Sequence, residues 1–396
     1  MVAASRKGNR TLFSYQPKLE ILENRTLLSD CTVSLLTDAG NKGDLHYCIA
    51  QAGDGDTISF MVAGTINLSG ALPDLTHSIN IARPGTDQLT VRRNKGGTYR
   101  IFTVTSGTTV SISGLTIADG RVGALFPGAG ISNQGTLMIS NCTVANNRGD
   151  GVEVAFGGGI YNSGSLTVEN CLITGNVTAT VSGGGGGGIA NNSGGGGYGG
   201  AIRNEAGGTA TVTATTFSGN VSTVAGGVSN RGIMTLSGST FSSNMGGLGR
   251  GAIENLGTMI IGNGTISGNT AEGGGAGIGN GGTLTITNST IAGNSNTISF
   301  RGGGIENSDG TLNMRNTILA GNTDIGGAPD LYGSLTSSGY NLLGNTQGGS
   351  GYAPTDLLNV DPLLGPLQDN GGPTLTMALQ CGSPAIDAGD TTNAPD

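Results

Sequence analysis

Tryptophan is absent, aromatic residues make up 4% of the chain, and only two histidines are present. Charged residues reach just 11%. Helical bundles and coiled coils draw on Ala, Glu, Lys and Leu, and each interior glycine costs a helix about 1 kcal/mol. Here 77 of 396 residues are glycine, which excludes both. Collagen is excluded as well, because the 11 prolines are too few and glycine does not recur at every third residue. Glycine-rich disorder carries high net charge and few apolar residues, whereas 35% of this chain is hydrophobic. No apolar run approaches the length of a membrane-spanning helix, so no transmembrane span is expected. What remains is a chain that turns often between short strands.

Positive charge is scarce. Against 26 acidic residues stand 18 basic ones, a net of −8, and nucleic-acid binding needs a basic face that releases counterions from phosphate. Eleven of the 18 lie within the first 100 residues, while 324–396 holds eight aspartates and no Lys or Arg. The cluster Arg83, Arg92, Arg93, Lys95 and Arg100 reads as solvated surface, with a local basic patch as the alternative. Recognisable catalytic chemistry is missing too. The five cysteines show no Cys-x-x-Cys spacing for zinc, and His46 and His77 lack ligand spacing. Neither a nucleophile elbow nor a phosphate loop occurs. The glycine runs at 183–188 and 194–197 contain no aspartate at calcium-ligand spacing. No catalytic, metal-binding or cofactor-binding residue is assigned, and the chain is expected not to be an enzyme.

Against these absences stands a repeat. The segment Gly282–Asn294 has relatives at Gly135–Asn147, Gly164–Asn176, Gly208–Asn220, Gly232–Asn244, Gly257–Asn269 and, one residue longer, Gly310–Asn322. Each follows a glycine cluster that ends in Ile-x-Asn or a near equivalent, at Ile131, Ile160, Ile202, Val228, Ile253, Ile278 and Ile305. The separations are 29, 42, 26, 25, 25 and 27 residues, and the long gap holds a partial extra copy at Ile189. Inside a unit the apolar residues alternate, as in Leu284 and Ile286, then Ile291. Period two predicts strands with one buried face. A 25-residue unit cannot bury that face alone, so stacking is required. The expected fold is all-β: a right-handed single-stranded parallel β-helix of about 11–13 coils, each advancing about 4.8 Å.

Two columns of residues refine this. Asn147, Asn176, Asn220, Asn244, Asn269, Asn294 and Asn322 recur at one corner, where side-chain amides can bond along the axis as a structural ladder. Cys142, Cys171, Thr215, Ser239, Gly264, Ser289 and Thr317 form a second, small-residue corner where coils approach closely. Glu254 and Glu306 share a repeat position two coils apart, about 10 Å by strand spacing. With Arg250 and Arg301 they are the candidates for glycan contact. A catalytic carboxylate pair is the sharper alternative, and plain outward-facing surface the blander one.

The organisation expected is a mobile segment over 1–30, a cap and first strand over 31–60, repeats over 61–323, and a covering C-terminal region over 324–396. An amphipathic helix is expected over Asp44–Ala52, with Leu45, Cys48, Ile49 and Ala52 on one face and Gly53 stopping it. Cys31 and Cys48 can pair across this cap in an oxidising compartment or remain thiols. Cys142 and Cys171 are expected to pack as free thiols.

These motifs resemble known families. Val33-Ser-Leu-Leu-Thr-Asp-Ala-Gly, Gly43-Asp-Leu-His-Tyr-Cys-Ile and Gly55-Asp-Thr-Ile-Ser-Phe are similar to the entry motif of bacterial right-handed β-helix surface proteins. Asp361-Pro-Leu-Leu-Gly-Pro-Leu, Asp369-Asn-Gly-Gly-Pro-Thr-Leu and Gly382-Ser-Pro-Ala-Ile-Asp-Ala-Gly-Asp resemble the choice-of-anchor Q domain. The Gly-Gly-x-Ile and Phe-x-x-Asn copies are similar to polymorphic outer membrane protein repeats. Pro17-Lys-Leu-Glu-Ile-Leu-Glu-Asn-Arg-Thr-Leu-Leu-Ser resembles the LEPR-type motif of exported proteins, with Asn24 in place of its proline. The resemblance implies export to the cell surface or beyond, associated with a bacterial outer membrane. It also implies further sequence past Asp396, or else a missing anchor. The expected function is adhesin-like presentation of a surface to glycans, matrix or cells. A polysaccharide lyase or glycoside hydrolase on the same scaffold and a passive envelope spacer are the alternatives.

Overall fold

One coil shows how the repeat becomes structure. In the strand Thr283–Thr287, Leu284 and Ile286 point inward and are fully buried, while the threonines between them face outward. Asn288, at φ 50°, turns the first corner. The short strand Thr290–Ala292 then buries Ile291, and Gly293 at φ 69° turns the second corner. A two-residue strand, Ser295–Asn296, follows, and Ile305–Asn307 opens the next coil. Left-handed backbone is costly for most L-residues, and Asn and Gly bear it best. That is why the corners read Asn or Gly.

The computed structural model describes residues 30–82, 89–94, 96–123, 126–151, 155–180, 197–247, 249–298 and 301–391. The LEPR-type motif, Arg83, Lys95, Ile189 and the glycine runs up to 196 lie outside the described residues. Among the described residues stacking makes four long parallel sheets, besides the two-stranded pair Ala155–Phe156 and Gly197–Tyr198. Sheet A has 12 strands, from Cys31–Val33 to Thr336–Ser337, and sheet B has 12, from Gly64–Leu68 to Leu357–Leu358. Sheet C has 10, from Phe102–Val104 to Gly349–Ser350, and the narrow sheet D has seven, from Arg121–Val122 to Ser295–Asn296. The chain is a right-handed parallel β-helix of about 11 turns, with one short helix among the described residues. In-register pairs such as Leu137 on Leu166 and Ile139 on Val168 run the core down the axis.

Across the 42-residue gap Ile160 pairs directly with Ile202 and Leu166 with Ala210, so the two copies lie on neighbouring coils.

The asparagine corner is a continuous polar rail. Each member donates both its main-chain N–H and its Nδ2 to the Oδ1 of the next, from Asn147 to Asn322, at 2.8–3.1 Å. The rail ends on Asp330, whose Oδ1 accepts both Asn322 donors. A second rail runs through Asn133, Asn162, Asn204, Asn230, Asn255, Asn280 and Asn307 at 2.7–2.8 Å. Its signal was the asparagine of every Ile-x-Asn. In the small-residue column, side chains accept the N–H of the preceding coil, as Thr215 does from Cys171 and Ser289 from Gly264. Hydrogen bonding, rather than lack of room alone, selects Cys, Ser and Thr there.

Ala214 breaks the corner rule, holding φ 49° where the aligned corners use Asn141, Asn170, Gly238, Asn263, Asn288 and Asn316. Ala214→Gly is therefore expected to stabilise its coil by about 1 kcal/mol. Slower amide exchange across Thr209–Thr213 would show this, and faster exchange would refute it.

The ends are built differently. Helix α1, Leu45–Gln51, is capped by Asp44, which accepts from Tyr47 N–H at 2.8 Å, and its Cys48 is joined by a disulfide to Cys31. The C-terminal region does more than close the end. Its antiparallel hairpin, Leu364–Gln368 with Thr376–Leu379, folds back along sheet B. Thr240 Oγ1 donates to Leu375 O at 2.6 Å, Thr374 Oγ1 donates to Gly238 O at 3.0 Å, and Arg315 pairs with Asp390.

Candidate functional site

Sheet C presents three residues per coil: two point into the core and the middle one points away from it. Those middle residues include Tyr161, Arg203, Ser229, Glu254, Gly279 and Glu306, stacked in register. The expectation of an outward-facing surface is corrected here, because Gly274 and Gly275 of the loop between sheets D and C lie against Glu306, and Arg250 lies against both carboxylates. Glu254 and Glu306 are only 3% and 2% exposed.

Within this column the charges form one chain. Arg203 is held by Glu205 at 2.9 Å and donates to Ser229 Oγ at 2.6 Å, and Ser229 donates to Glu254 at 2.7 Å. Arg250 lies between the two carboxylates, 3.5 Å from Glu254 and 3.3 Å from Glu306. Its Nε is within ion-pair reach of Glu306 but is not aligned to donate to it. Arg301 and Ser308 complete Glu306 at 3.2 and 3.0 Å. Gly279 makes this possible, since a Cβ there would collide with the Arg250 side chain. At the other end, Arg203 packs over the rings of Phe156 and Tyr198, at 5.3 and 5.0 Å to their centroids.

So Arg250, Glu254, Arg301 and Glu306 are brought together, but as a buried ion chain. An inverting carboxylate pair needs room for a water between its members, and the Arg250 guanidinium fills that space. Arg301 is the exposed end, and its side chain is 58% accessible.

A different cluster is open to solvent. Arg92 and Arg93 end the sheet B strand Leu89–Arg93. One and two coils further on, Arg121 and Arg148 open consecutive sheet D strands and stack in register. With Asn94, Asp119 and Asn146 they line a cleft of about 380 Å³. Asp150 is shared between two guanidiniums, 2.7 Å from Arg121 and 2.5 Å from Arg148. Arg92 donates to Asn67 at 2.8 Å and stands 3.7 Å from Asp119. Arg93 is pinned by carbonyl oxygens, through Nε to Asp119 O at 2.8 Å and through Nη1 to Asn94, Gly96 and Gly97. Among the described residues no carboxylate lies within ion-pair distance of Arg93. Four arginines against two aspartates leave the cleft a net +2.

Sequence reading reached only part of this cleft. Arg92 and Arg93 were visible as a basic dipeptide, whereas Arg121 and Arg148 lie apart in sequence. The available signal was the repeat: each of the two follows the position of the asparagine rail by one residue. Burial pulls the Arg100 guanidinium below its usual pKa, opposed by Asp74, and Arg100 does not line the cleft.

Other candidate groups do not converge. His46 sits 3.3 Å from Asp38 and His77 3.5 Å from Asp54. Among the described residues no three His, Cys, Asp or Glu side chains form a metal-ligand set. Cys142 and Cys171 are buried free thiols on adjacent coils, and the Cys171 sulfur accepts the Cys142 N–H at 3.4 Å. The hydrogen bond between their two thiol side chains, followed by burial, pushes the Cys171 thiol up, against the N–H bond. The same thiol–thiol bond pulls Cys142 down.

No family model and no curated protein matches the chain. Among solved structures it is similar to the crystal structure of pectate lyase Pel9A, with a TM-score of 0.45 and 14% identity, over 92% of this chain and 93% of that one. This likeness is one of fold and transfers no residue role. The expectation of a non-enzyme is corrected on this finding: the solved structure that the chain is similar to is that of a lyase.

Proposed function

We propose that this β-helix protein is polysaccharide-active, with the polymer lying along the arginine cleft. The observation that carries the reading is periodicity. Arginines recur on three consecutive coils, so the cleft repeats its chemistry about every 4.8 Å along the axis. A linear polymer can meet such a row unit after unit, whereas a compact ligand meets it once. Guanidiniums present planar donor forks suited to the oxygens of sugars and their acidic substituents.

An extracytoplasmic setting belongs to the same proposal. The Cys31–Cys48 disulfide supports an oxidising compartment.

Incubation with a panel of neutral and acidic polysaccharides tests the reading. Binding by calorimetry is followed alongside the release of reducing ends and unsaturated uronides. At least one polymer should bind, and the double substitution Arg121→Ala, Arg148→Ala should weaken it about tenfold or more, as lost charge-assisted hydrogen bonds would. A panel that shows neither binding nor cleavage would overturn it.

A further inference from the structure

The cleft's own ion pairs indicate what sort of polymer it takes. Resting on the reading above, we infer that the ligand carries an anionic group on successive sugars, and that Arg93 with Arg92 receives the first of them. Asp150 already demonstrates the binding mode. Its carboxylate bridges Arg121 and Arg148, so one oxygen anion between guanidiniums of adjacent coils is a geometry this surface supports. One coil earlier, among the described residues, no carboxylate bridges two guanidiniums in this way. Arg93 keeps a full positive charge fixed by four main-chain carbonyls. Its neighbour Arg92 meets Asp119 only at 3.7 Å.

Holding a guanidinium rigidly by carbonyls, without a counter-charge, leaves it oriented to accept an anion at little ordering cost. A neutral sugar would leave that charge unmet. Duplex nucleic acid is the less matched polyanion, because its phosphates recur about every 1.7 Å of axis whereas the arginines recur about every 4.8 Å. Ring carboxylates and sulfate esters share the required chemistry.

The full chain is titrated with a polyuronate, with the same polymer as its methyl ester, and with a sulfated galactan. The free polyuronate should bind about tenfold or more tightly than the ester and weaken with salt. Arg93→Gln and, separately, Arg92→Gln should remove most of that advantage, bringing the free acid towards the binding of the ester. The second variant keeps the test valid if the first unfolds, and thermal melts report which has. A galactan that shows the same Arg93 dependence assigns recognition to charge in general; a polyuronate-only response assigns it to the carboxylate. Equal binding of ester and free acid would sink the anionic requirement while leaving the polysaccharide reading intact. Duplex DNA competing as well as the polyuronate would overturn the choice of polymer. Failure of every polymer to bind would remove both.

Discussion

Asn269→Leu should destabilise its own coil and both neighbours by roughly 3–5 kcal/mol, although leucine is close to asparagine in size and the site is fully buried. Asn269 Oδ1 accepts from the N–H and Nδ2 of Asn244, both at 2.9 Å. Its Nδ2 donates to Asn294 Oδ1 at 2.8 Å and to Phe241 O at 3.0 Å. Leucine leaves these partners buried and unmatched, each at about 1–3 kcal/mol before relaxation. Solenoid coils unfold in neighbouring groups rather than all at once, so a single melting temperature is a poor readout. Native-state hydrogen exchange is better: protection should fall across Thr240–Ser242, Thr265–Ser267 and Thr290–Ala292, and hold at α1. Uniform protection would refute the rail's energetic role.

Asn269→Asp separates acceptor from donor. Aspartate still accepts from Asn244 but turns an oxygen toward Asn294 Oδ1 and Phe241 O. Burial and these acceptors favour its protonated form, so its folded pKa should lie above the unfolded one. A raised carboxyl pKa means that the deficit is full at neutral pH and shrinks as pH falls through the folded value. Asp330 is the natural counterpart. Burial raises its pKa, but three donated hydrogen bonds from Asn322 and Asn345 suit an acceptor at the end of the rail.

Gly279→Ala is the second large effect. The new Cβ displaces Arg250, so Glu254 and Glu306 lose a shared counter-charge together. Removing one partner from a buried ion pair costs about 3–5 kcal/mol. Because Arg250 is partly accessible, a loss of about 3 kcal/mol is expected, felt first in the strands Ile253–Asn255 and Ile305–Asn307. Gly262→Ala is the control, since its Cβ meets only Thr287 Oγ1 at 3.6 Å. Equal exchange rates in the two variants would show that Arg250 is not holding the two carboxylates.

Repeat periodicity made the coil, the inward alternation of Leu284 and Ile286, the Asn and Gly corners and the asparagine column legible without coordinates. Each depends on residues that recur at fixed offsets, and in-register stacking turns such recurrence directly into contact. In the long gap an insertion and a partial repeat look alike in sequence. Pairing of Ile160 with Ile202 puts the two flanking copies on neighbouring coils.

The charged positions lay beyond that logic. Alternation tells which side of a sheet a residue faces, but not whether a loop covers it. Glu254 and Glu306 point away from the core and are nevertheless buried, with the loop residues Arg250 and Gly274 packed against them. Arg92, Arg93, Arg121 and Arg148 gather only once three coils are stacked. The amino-acid sequence by itself determined the solenoid, since one spacing serves every turn. Tertiary structure alone decided which charges are sealed and which meet solvent, since that rests on loops that do not repeat.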